Sequence, residues 1–319
     1  MRTYIIRRLL LVVPTLFLVT IIVFAVVRMI PGDLIDAMMS DMATGVALGS
    51  DLREIIRHRL GLDLPVHVQY GRWIGGVLQG DLGTSLRGEQ PVTPQILARL
   101  PVTLELGVFS VIIGLLIALP IGIYSAIRQN TIGDYAGRGI AVTFISVPTF
   151  WTATMIMLYP AIWWGWSPSL GLIPFTEDPL GNLGMFLLPA AILGTVLSGT
   201  TMRMTRTMAL EILRQDYIRT AWSKGLREKI VVLRHVLKNA LIPVVTIVGF
   251  QLPILIGGSV IIEQIFVLPG LGTLLLDSIQ KRDYPIVSGI NLFFATAVVL
   301  INLLIDLTYA FLDPRVRYR

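Results

Sequence analysis

Residues 106–127 read LGVFSVIIGLLIALPIGIYSAI, a run of 22 residues that contains no Asp, Glu, Lys or Arg. At 1.5 Å of rise per residue, a helix of this length spans the roughly 30 Å hydrocarbon core of a bilayer. Five further charge-free stretches have a comparable length, and they cover residues 9–27, 139–176, 179–202, 239–262 and 284–305. The sequence therefore predicts an all-α polytopic membrane protein.

The composition agrees with a membrane protein. Apolar residues make up 54% of the chain and charged residues 14%, against about 25% charged in soluble proteins. The net charge of +6 does not indicate a protein that binds nucleic acid, because the basic residues lie between long apolar runs. With no cysteine in the sequence, disulfides, cysteine-ligated metals and thiol catalysis are excluded.

Six spans are favoured over seven. The stretch 139–176 has the length for two crossings, but Pro160 and an aromatic group at Trp163, Trp164 and Trp166 interrupt it, which is typical of one span that ends at the membrane interface. The first stretch follows basic residues as in a signal peptide, yet it lacks a small-x-small cleavage site, so we expect an uncleaved span. This divides the chain into the N-terminus with the first span (1–30), an external segment (31–100) and a transmembrane core (101–319).

The distribution of charge predicts the orientation. With both termini in the cytoplasm, the cytoplasmic segments hold 17 of the 26 cations and 6 of the 20 anions, a net +11, and the rest of the chain nets −5. Cytoplasmic loops of membrane proteins carry this excess of Lys and Arg. We therefore expect a multi-pass protein of the cell (inner or plasma) membrane with both termini cytoplasmic.

The external segment 31–100 is too polar to enter the bilayer. Residues 50–60 predict a helix whose N-terminal cap region includes Asp51, and Gly- and Pro-rich turns are expected after it. The segment can be a structural lid on the helices or a ligand site, and the sequence leaves both open.

The cytoplasmic block, residues 203–240, predicts two amphipathic helices joined at Gly225, since glycine readily adopts the left-handed conformation that ends a helix. The first face is formed by Leu210, Leu213, Tyr217 and Ala221, and the second by Leu226, Ile230, Leu233 and Leu237. Such a helix pair can dock a partner protein or lie on anionic lipid, and the pattern alone does not separate the two.

The segment DYIRTAWSKGL (216–226), followed by RHVLKNALIP (234–243), resembles the coupling loop of the inner-membrane permeases of dipeptide and oligopeptide ABC importers. The general importer loop has Glu-Ala-Ala, three residues and Gly. Here Ala221 and Gly225 hold the second Ala and the Gly, while Arg219 and Thr220 replace Glu and the first Ala, as is typical of the peptide subfamily. The resemblance implies contact with an ATP-binding subunit through Asp216, Tyr217, Arg219, Thr220, Ala221, Lys224 and Gly225.

Other motifs extend the resemblance over nearly the whole chain. They are LGLD (60–63), GDLGTS (80–85), GGSV (257–260) with Glu263, PGLG (269–272) and LDPR (312–315), which are similar to motifs of the permease usually encoded first of a pair. The resemblance implies a type I ABC importer fold with a cytoplasmic coupling helix, and transport of peptides or similar small solutes by alternating access.

The resemblance also implies partners: a second homologous permease, two ATP-binding subunits, an external solute-binding protein and membrane lipid. ATP and Mg would be bound by the partner subunits, because none of the four lysines follows a glycine as a phosphate-binding loop requires. His58, His67 and His235 share no metal-ligand spacing. We expect no cofactor, no metal and no catalytic residue in this chain.

Glu263, Gly257 and Gly258 are candidates for a gate or for the solute pathway, because carboxylates within membranes are costly. For Glu263 a local partner near the outer interface is the alternative. Nickel chelates, glutathione and haem remain possible solutes. A secondary transporter driven by an ion gradient is the main alternative of another class, although the charge-free stretches lack the buried charge that it would need.

Overall fold

The computed structural model describes residues 2–29, 54, 58, 61, 63–168 and 171–312. Within these residues the chain is helical apart from short connections and one antiparallel bridge between Thr84 and Pro91. The helices are α1 Arg2–Arg28, α2 Val66–Leu78, α3 Val92–Ile127, α4 Ile132–Ser146, α5 Thr149–Trp164, α6 Pro179–Leu213, α7 Asp216–Ser223, α8 Glu228–Val231, the π-helical turn Val232–Leu237, α9 Lys238–Ile265, α10 Leu271–Gln280 and α11 Tyr284–Leu312.

The predicted charge-free stretches are helices. Among the described residues, α1, α3, α6, α9 and α11 are long and apolar enough to cross a membrane, and the bent pair α4–α5 is a sixth candidate if it counts as one span. Charges at the ends of the stretches do not end the helices: α3 begins at Val92, well before its charge-free part. The fold is that of an all-α polytopic membrane protein.

The predicted third span is not one straight helix. The axes of α4 and α5 differ by 94° across a short break, at Val147 and Pro148. Val147 is extended (φ −84°, ψ 123°), because a residue that precedes proline disfavours the helical conformation. The expected end of the span is confirmed, since α5 stops at Trp164 and Gly165 adopts a left-handed conformation (φ 62°).

The described residues divide into two compact units, one formed by those within 102–272 and from 301 onward and the other by those within 2–101 and 273–300. In the first unit the core lies around α6, with Phe186, Leu193 and Leu197 fully or almost fully buried. Gly114 and Gly194 let α3 and α6 approach closely: a Cβ on Gly194 would lie 2.8 Å from the carbonyl oxygen of Ser110. Small residues at helix contacts are how membrane bundles pack.

The described part of the expected external segment lies in the second unit. Tyr70 and Trp73 of α2 pack against Phe24 of α1, with ring centroids 5.2 and 5.7 Å from it. The expectation of turns is wrong for residues 66–78, where α2 begins directly after the extended Pro65 (φ −55°, ψ 142°). The helix expected over residues 50–60 lies almost entirely outside the described residues.

Within the second unit, the carboxylate of Asp283 forms hydrogen bonds with the GDLGTS motif and the residue after it. Asp283, immediately before α11, accepts hydrogen bonds from the hydroxyl of Ser85 and from the backbone N–H of Leu86. Both Ser85 and Asp283 are buried. Ser85, the last residue of the GDLGTS motif, is therefore held by a buried hydrogen bond to Asp283.

Candidate functional site

Helix α7, Asp216–Ser223, is the central element of the predicted coupling loop. Arg214 and Gln215 separate it from α6, and the extended Gln215 (φ −74°, ψ 147°) starts its first turn. Thr220 donates its hydroxyl proton to the carbonyl of Asp216 at 3.0 Å. The result is a compact helix of eight residues between two long helices of the first unit.

The end of α7 has the hydrogen bonds of a Schellman motif. The N–H of Gly225 donates to the carbonyl of Trp222 at 2.9 Å, and the N–H of Leu226 donates to the carbonyl of Ala221 at 3.3 Å. Gly225 has a φ of +78°, which costs glycine nothing and strains other residues. The predicted left-handed glycine is confirmed, and it sets the direction in which the chain leaves α7.

Two residues attach α7 to the bundle. Ile218 is fully buried and Ala221 is 7% exposed. They share an apolar cluster whose other buried members are Ala126 of α3, Ala209 of α6, Val231 of α8 and Val236 of the π-helical turn. Ala221 therefore packs within this chain, and a larger side chain at this position would disturb the packing of α7 against α3 and α6.

The predicted apolar faces of residues 203–240 are not the set of residues that packs into the bundle. Of those faces Tyr217, Leu226, Ile230 and Leu233 are exposed, while Ile218, Val231, Val232 and Val236 are buried. Each buried set lies one to three positions from the predicted set. Since both sets are apolar, spacing alone could not choose between them, and the packing against α3 and α6 decided it.

The other side chains of α7 face outward. Tyr217 and Trp222 are 46% and 43% exposed. Asp216, Arg219, Thr220, Lys224 and Gly225 are exposed as well. Arg219 and Asp216 approach to 3.5 Å, an exposed ion pair that contributes little to stability. The exposed face thus combines aromatic area with charge, as protein docking surfaces do.

A polar contact also joins α7 to the start of α9. The side-chain amide of Asn239 donates to the hydroxyl oxygen of Tyr217 at 3.2 Å and to the carbonyl of His235 at 2.8 Å. Tyr217 is therefore oriented by α9 while part of its ring stays exposed. Six of the predicted coupling residues are on one accessible surface, and the seventh, Ala221, lies beneath it.

Glu263 is held by local partners. It is fully buried near the end of α9, and it accepts hydrogen bonds from the hydroxyl of Thr103 at 2.8 Å and from the N–H of Gly272 at 2.7 Å. Thr103 in turn accepts from the N–H of Leu271 at 2.9 Å. The carboxylate and the hydroxyl thereby satisfy the first N–H groups of α10, which have no partner within the helix.

This arrangement explains the glycines of the PGLG motif. A Cβ on Gly270 would collide with the Glu263 carboxylate, and a Cβ on Gly272 would lie 2.5 Å from the Cα of Val260. Of the two readings of Glu263, a gate or a carboxylate with local partners, the hydrogen bonds from Thr103 and Gly272 fit the second. Thr103 was missed, because 160 residues separate it from Glu263 and no sequence signal links them.

Gly257 and Gly258 differ from each other. Gly257 is exposed with nothing near its missing side chain, whereas a Cβ on Gly258 would come to 3.2 Å from Leu193 of α6. Gly258 thus serves helix packing, and only Gly257 presents backbone at the surface. The structure does not bring either glycine to the Glu263 carboxylate. In the described part of the chain no cluster of three or more His, Asp or Glu side chains could hold a metal.

The sequence profile described as "Binding-protein-dependent transport system inner membrane component" matches residues 118–318, and the profile of the N-terminal part of such components matches residues 1–107. The dipeptide transport system permease protein DppB of Escherichia coli (strain K12) is 38% identical over 342 residues. A putative peptide transport system permease protein of Brucella abortus (strain 2308) is 41% identical over 318 residues. The glutathione transport system permease protein GsiC of Salmonella paratyphi A is 39% identical over 319 residues. Each of the three alignments covers 100% of both chains.

Two solved structures share the fold. An amino acid ABC transporter structure matches with a TM-score of 0.53 at 16% identity, over 69% of this chain and 95% of the other. An inward-facing structure of the MetNI methionine ABC transporter matches with a TM-score of 0.51 at 19% identity, over 68% of this chain and 96% of the other. At such identities the likeness concerns the arrangement of helices and not the solute.

Proposed function

The chain belongs to the family of inner membrane components of binding-protein-dependent transport systems, and from that premise we propose that it is a permease subunit of an ABC importer for peptides. It is a multi-pass membrane protein, and in this proposal it forms half of the translocation pathway. A second homologous permease would form the other half. Both termini would be cytoplasmic, as the excess of Lys and Arg in the predicted cytoplasmic segments favours.

The observation that carries the proposal is the placement of α7. Ile218 and Ala221 anchor it to α3 and α6, and the rest of its surface is open with Tyr217 and Trp222 partly exposed. A helix that only lies on lipid would expose its apolar face and bury nothing against the protein. A helix that is anchored on one side and exposed on the other is better suited to inserting into a cleft of a partner protein.

The partners follow from the family and from the chemistry that this chain lacks. Its lysines form no phosphate-binding loop, so ATP and Mg would be bound by two separate ATP-binding subunits on the cytoplasmic side. An external solute-binding protein would deliver the solute. In this proposal the chain is not an enzyme, and it binds neither a cofactor nor nucleic acid.

The contacts of α7 with the neighbouring helices suggest how a movement of the ATP-binding subunits would reach the helix bundle. A force on α7 acts through Ile218 and Ala221 on the ends of α3 and α6, and through the Asn239 contact on the start of α9. Because packed interfaces move as rigid bodies rather than deform continuously, closure of the ATP-binding subunits would reorient these helices together. The bundle would then open alternately to the two sides of the membrane.

The peptide substrate is supported by the relatives. Those compared are named as dipeptide, peptide and glutathione permeases, at 38% to 41% identity over their whole length. Glutathione is itself a small peptide, and it is the second candidate solute. Nickel chelates, haem and an ion-driven secondary mechanism have no comparable observation in their favour.

The test is uptake by the assembled importer. The full-length chain is co-expressed with its second permease, ATP-binding subunits and binding protein in cells that lack their own peptide importers, and uptake of labelled dipeptide, oligopeptide and glutathione is measured. We expect uptake that needs ATP hydrolysis and every partner. Peptide uptake by this chain alone, driven by an ion gradient, would contradict the proposal.

A further inference from the structure

The chain leaves α9 through a strained turn. Val267, two residues after the end of α9, has a φ of +54°. Of the four non-glycine residues with a positive φ in the described part of the chain, only Val267 is β-branched, and a β-branched residue in the left-handed region is a genuine outlier. Its side chain is 60% exposed, so burial of the valine does little to offset the strain. Residues under such strain cluster at functional sites.

Two backbone hydrogen bonds impose this conformation. The N–H of Leu268 donates to the carbonyl of Glu263 at 2.8 Å, and the N–H of Val267 donates to the carbonyl of Gln264 at 3.4 Å. These are the bonds of a Schellman motif, in which the left-handed residue is usually glycine. In the same motif at the end of α7 that position is held by Gly225. At the end of α9 a valine holds it, at a cost in free energy.

Glu263 holds both sides of this turn. Its backbone carbonyl accepts the hydrogen bond from Leu268, and its carboxylate accepts from the N–H of Gly272 at 2.7 Å. The residues between are closed between two attachments to Glu263, and we name residues 263–272 the α9–α10 corner. The hydrogen bond from the hydroxyl of Thr103 to the same carboxylate, at 2.8 Å, links the corner to α3.

The two helices that meet at the corner also meet α7 at their other ends. Ala126, near the end of α3, packs in one cluster with Ile218 of α7. Asn239, near the start of α9, donates to the hydroxyl of Tyr217. At 1.5 Å per residue, Thr103 and Ala126 are about 35 Å apart along α3. A rigid-body movement of α7 therefore reaches the corner through helices that α7 already contacts.

We propose that the α9–α10 corner is a strained latch, closed in this structure, that opens when α7 moves; the inference rests on the proposed function. Separation of α3 from α9 breaks the hydrogen bond between Thr103 and Glu263. The corner then loosens, and Val267 returns to a favourable backbone conformation. Because this releases strain, the ATP-binding subunits need to supply less free energy for the opening. Glu263 closes the latch through its local partners and does not contact the solute.

Val267→Asn tests the strain. Asparagine tolerates the left-handed conformation and does not add the freedom that glycine gives to the unfolded chain. Val66→Asn is the matched control, because Val66 is 61% exposed and lies in the first turn of the helix α2. In the purified full-length protein we expect Val267→Asn to raise the Tm and Val66→Asn not to raise it. A Tm of Val267→Asn no higher than that of Val66→Asn would overturn the proposal.

A distance across the latch tests its opening. Leu104 and Gln264 are exposed neighbours of the two latch residues, and Leu104→Cys with Gln264→Cys allows spin labelling of a chain that has no other cysteine. The label-to-label distance is measured by pulsed electron paramagnetic resonance in the importer assembled with cysteine-free partner subunits, with and without a non-hydrolysable ATP analogue.

We expect the analogue to produce a second, longer distance. The ratio of the open to the closed population should be about five- to thirtyfold smaller when Val267→Asn is added, because the closed corner is then no longer strained. Adding Val66→Asn should leave the ratio unchanged.

The measurements separate this proposal from the proposed function. In an importer that takes up peptide with ATP hydrolysis, a distance that does not change with the analogue would overturn the latch. Equal populations with and without Val267→Asn would also overturn it. Absence of ATP-dependent uptake by the wild type would count against the proposed function, and the Tm and the distances would still decide whether the corner is a strained latch.

Discussion

Arg206 of α6 and Asp134 of α4 form a bidentate ion pair, with 2.7 and 2.8 Å between the guanidinium nitrogens and the two carboxylate oxygens. Asp134 is fully buried, and it also accepts a hydrogen bond from the backbone N–H of Asn130 at 3.0 Å. This pair holds the first arm of the bent segment against the most buried helix of its unit. Neither residue belonged to the predicted sites.

The first prediction concerns this pair. Asp134→Ala leaves the charge of Arg206 partly buried without its partner, and breaking a buried pair from one side costs about 3–5 kcal/mol. We expect a markedly lower Tm of the purified protein and less protein in the membrane. The double variant Asp134→Leu with Arg206→Met should recover most of the loss. A single variant as stable as the wild type would show that the pair is not structural.

The second prediction concerns Glu263. In Glu263→Gln only one side-chain oxygen remains to accept, so when it accepts from the N–H of Gly272 the amide N–H₂ faces Thr103 Oγ1, which can accept but no longer donates its proton to residue 263. We expect a loss of about 1–3 kcal/mol, and uptake reduced in step with the lower Tm. Thr103→Val should act in the same direction. A change in solute preference at unchanged Tm would instead assign Glu263 to the solute pathway.

The third prediction concerns the turn after α7. Gly225→Ala forces a side chain into a left-handed conformation, which costs about 1–2 kcal/mol, and should loosen α7 and lower solute-stimulated ATPase activity of the assembled importer. Gly139→Ala is the matched control, because Gly139 is helical with nothing within 4 Å of an added Cβ. It should be neutral or stabilising. Equal effects of the two variants would contradict a special role of the turn.

The sequence predicted much of this fold because charges and proline are local signals. Charge-free length identified the helices, and Gly225 identified the turn. The bend at Pro148 was missed, because proline is tolerated within the other spans, as at Pro189 and Pro253. Whether a proline kinks or breaks a helix depends on what its neighbours can satisfy.

The candidate sites were less predictable. The exposed face of α7 depends on whether Tyr217 or Ile218 turns inward, and two apolar neighbours give the same periodic signal. Thr103 lies 160 residues from its partner Glu263 in the sequence, and Arg206 lies 72 residues from Asp134. Such contacts arise from packing of helices, which a single sequence does not encode in any spacing.

The fourth prediction concerns topology, and it uses the absence of cysteine in the native chain. Gln90→Cys and Ser223→Cys place a thiol at two exposed positions. Ser85 is unsuitable because it is buried against Asp283. We expect an impermeant thiol reagent to label Gln90→Cys in intact cells and Ser223→Cys only after the membrane is opened. Labelling of Ser223→Cys in intact cells would reverse the orientation.

The central claim is that α7 docks into an ATP-binding subunit, and Thr220→Cys tests it most directly. Thr220 is exposed on α7, and cysteine is close to threonine in size, so the packing of α7 against the bundle should remain intact. The measurement is cross-linking of the assembled importer with a short reagent that joins the introduced thiol at one end and carries a photoreactive group, which reacts with any nearby C–H or N–H bond, at the other, with Gln90→Cys as the control. The account predicts a covalent adduct between Thr220→Cys and an ATP-binding subunit, and none from Gln90→Cys. An assembled, active importer in which Thr220→Cys forms no such adduct, or forms it no more often than Gln90→Cys, would contradict it.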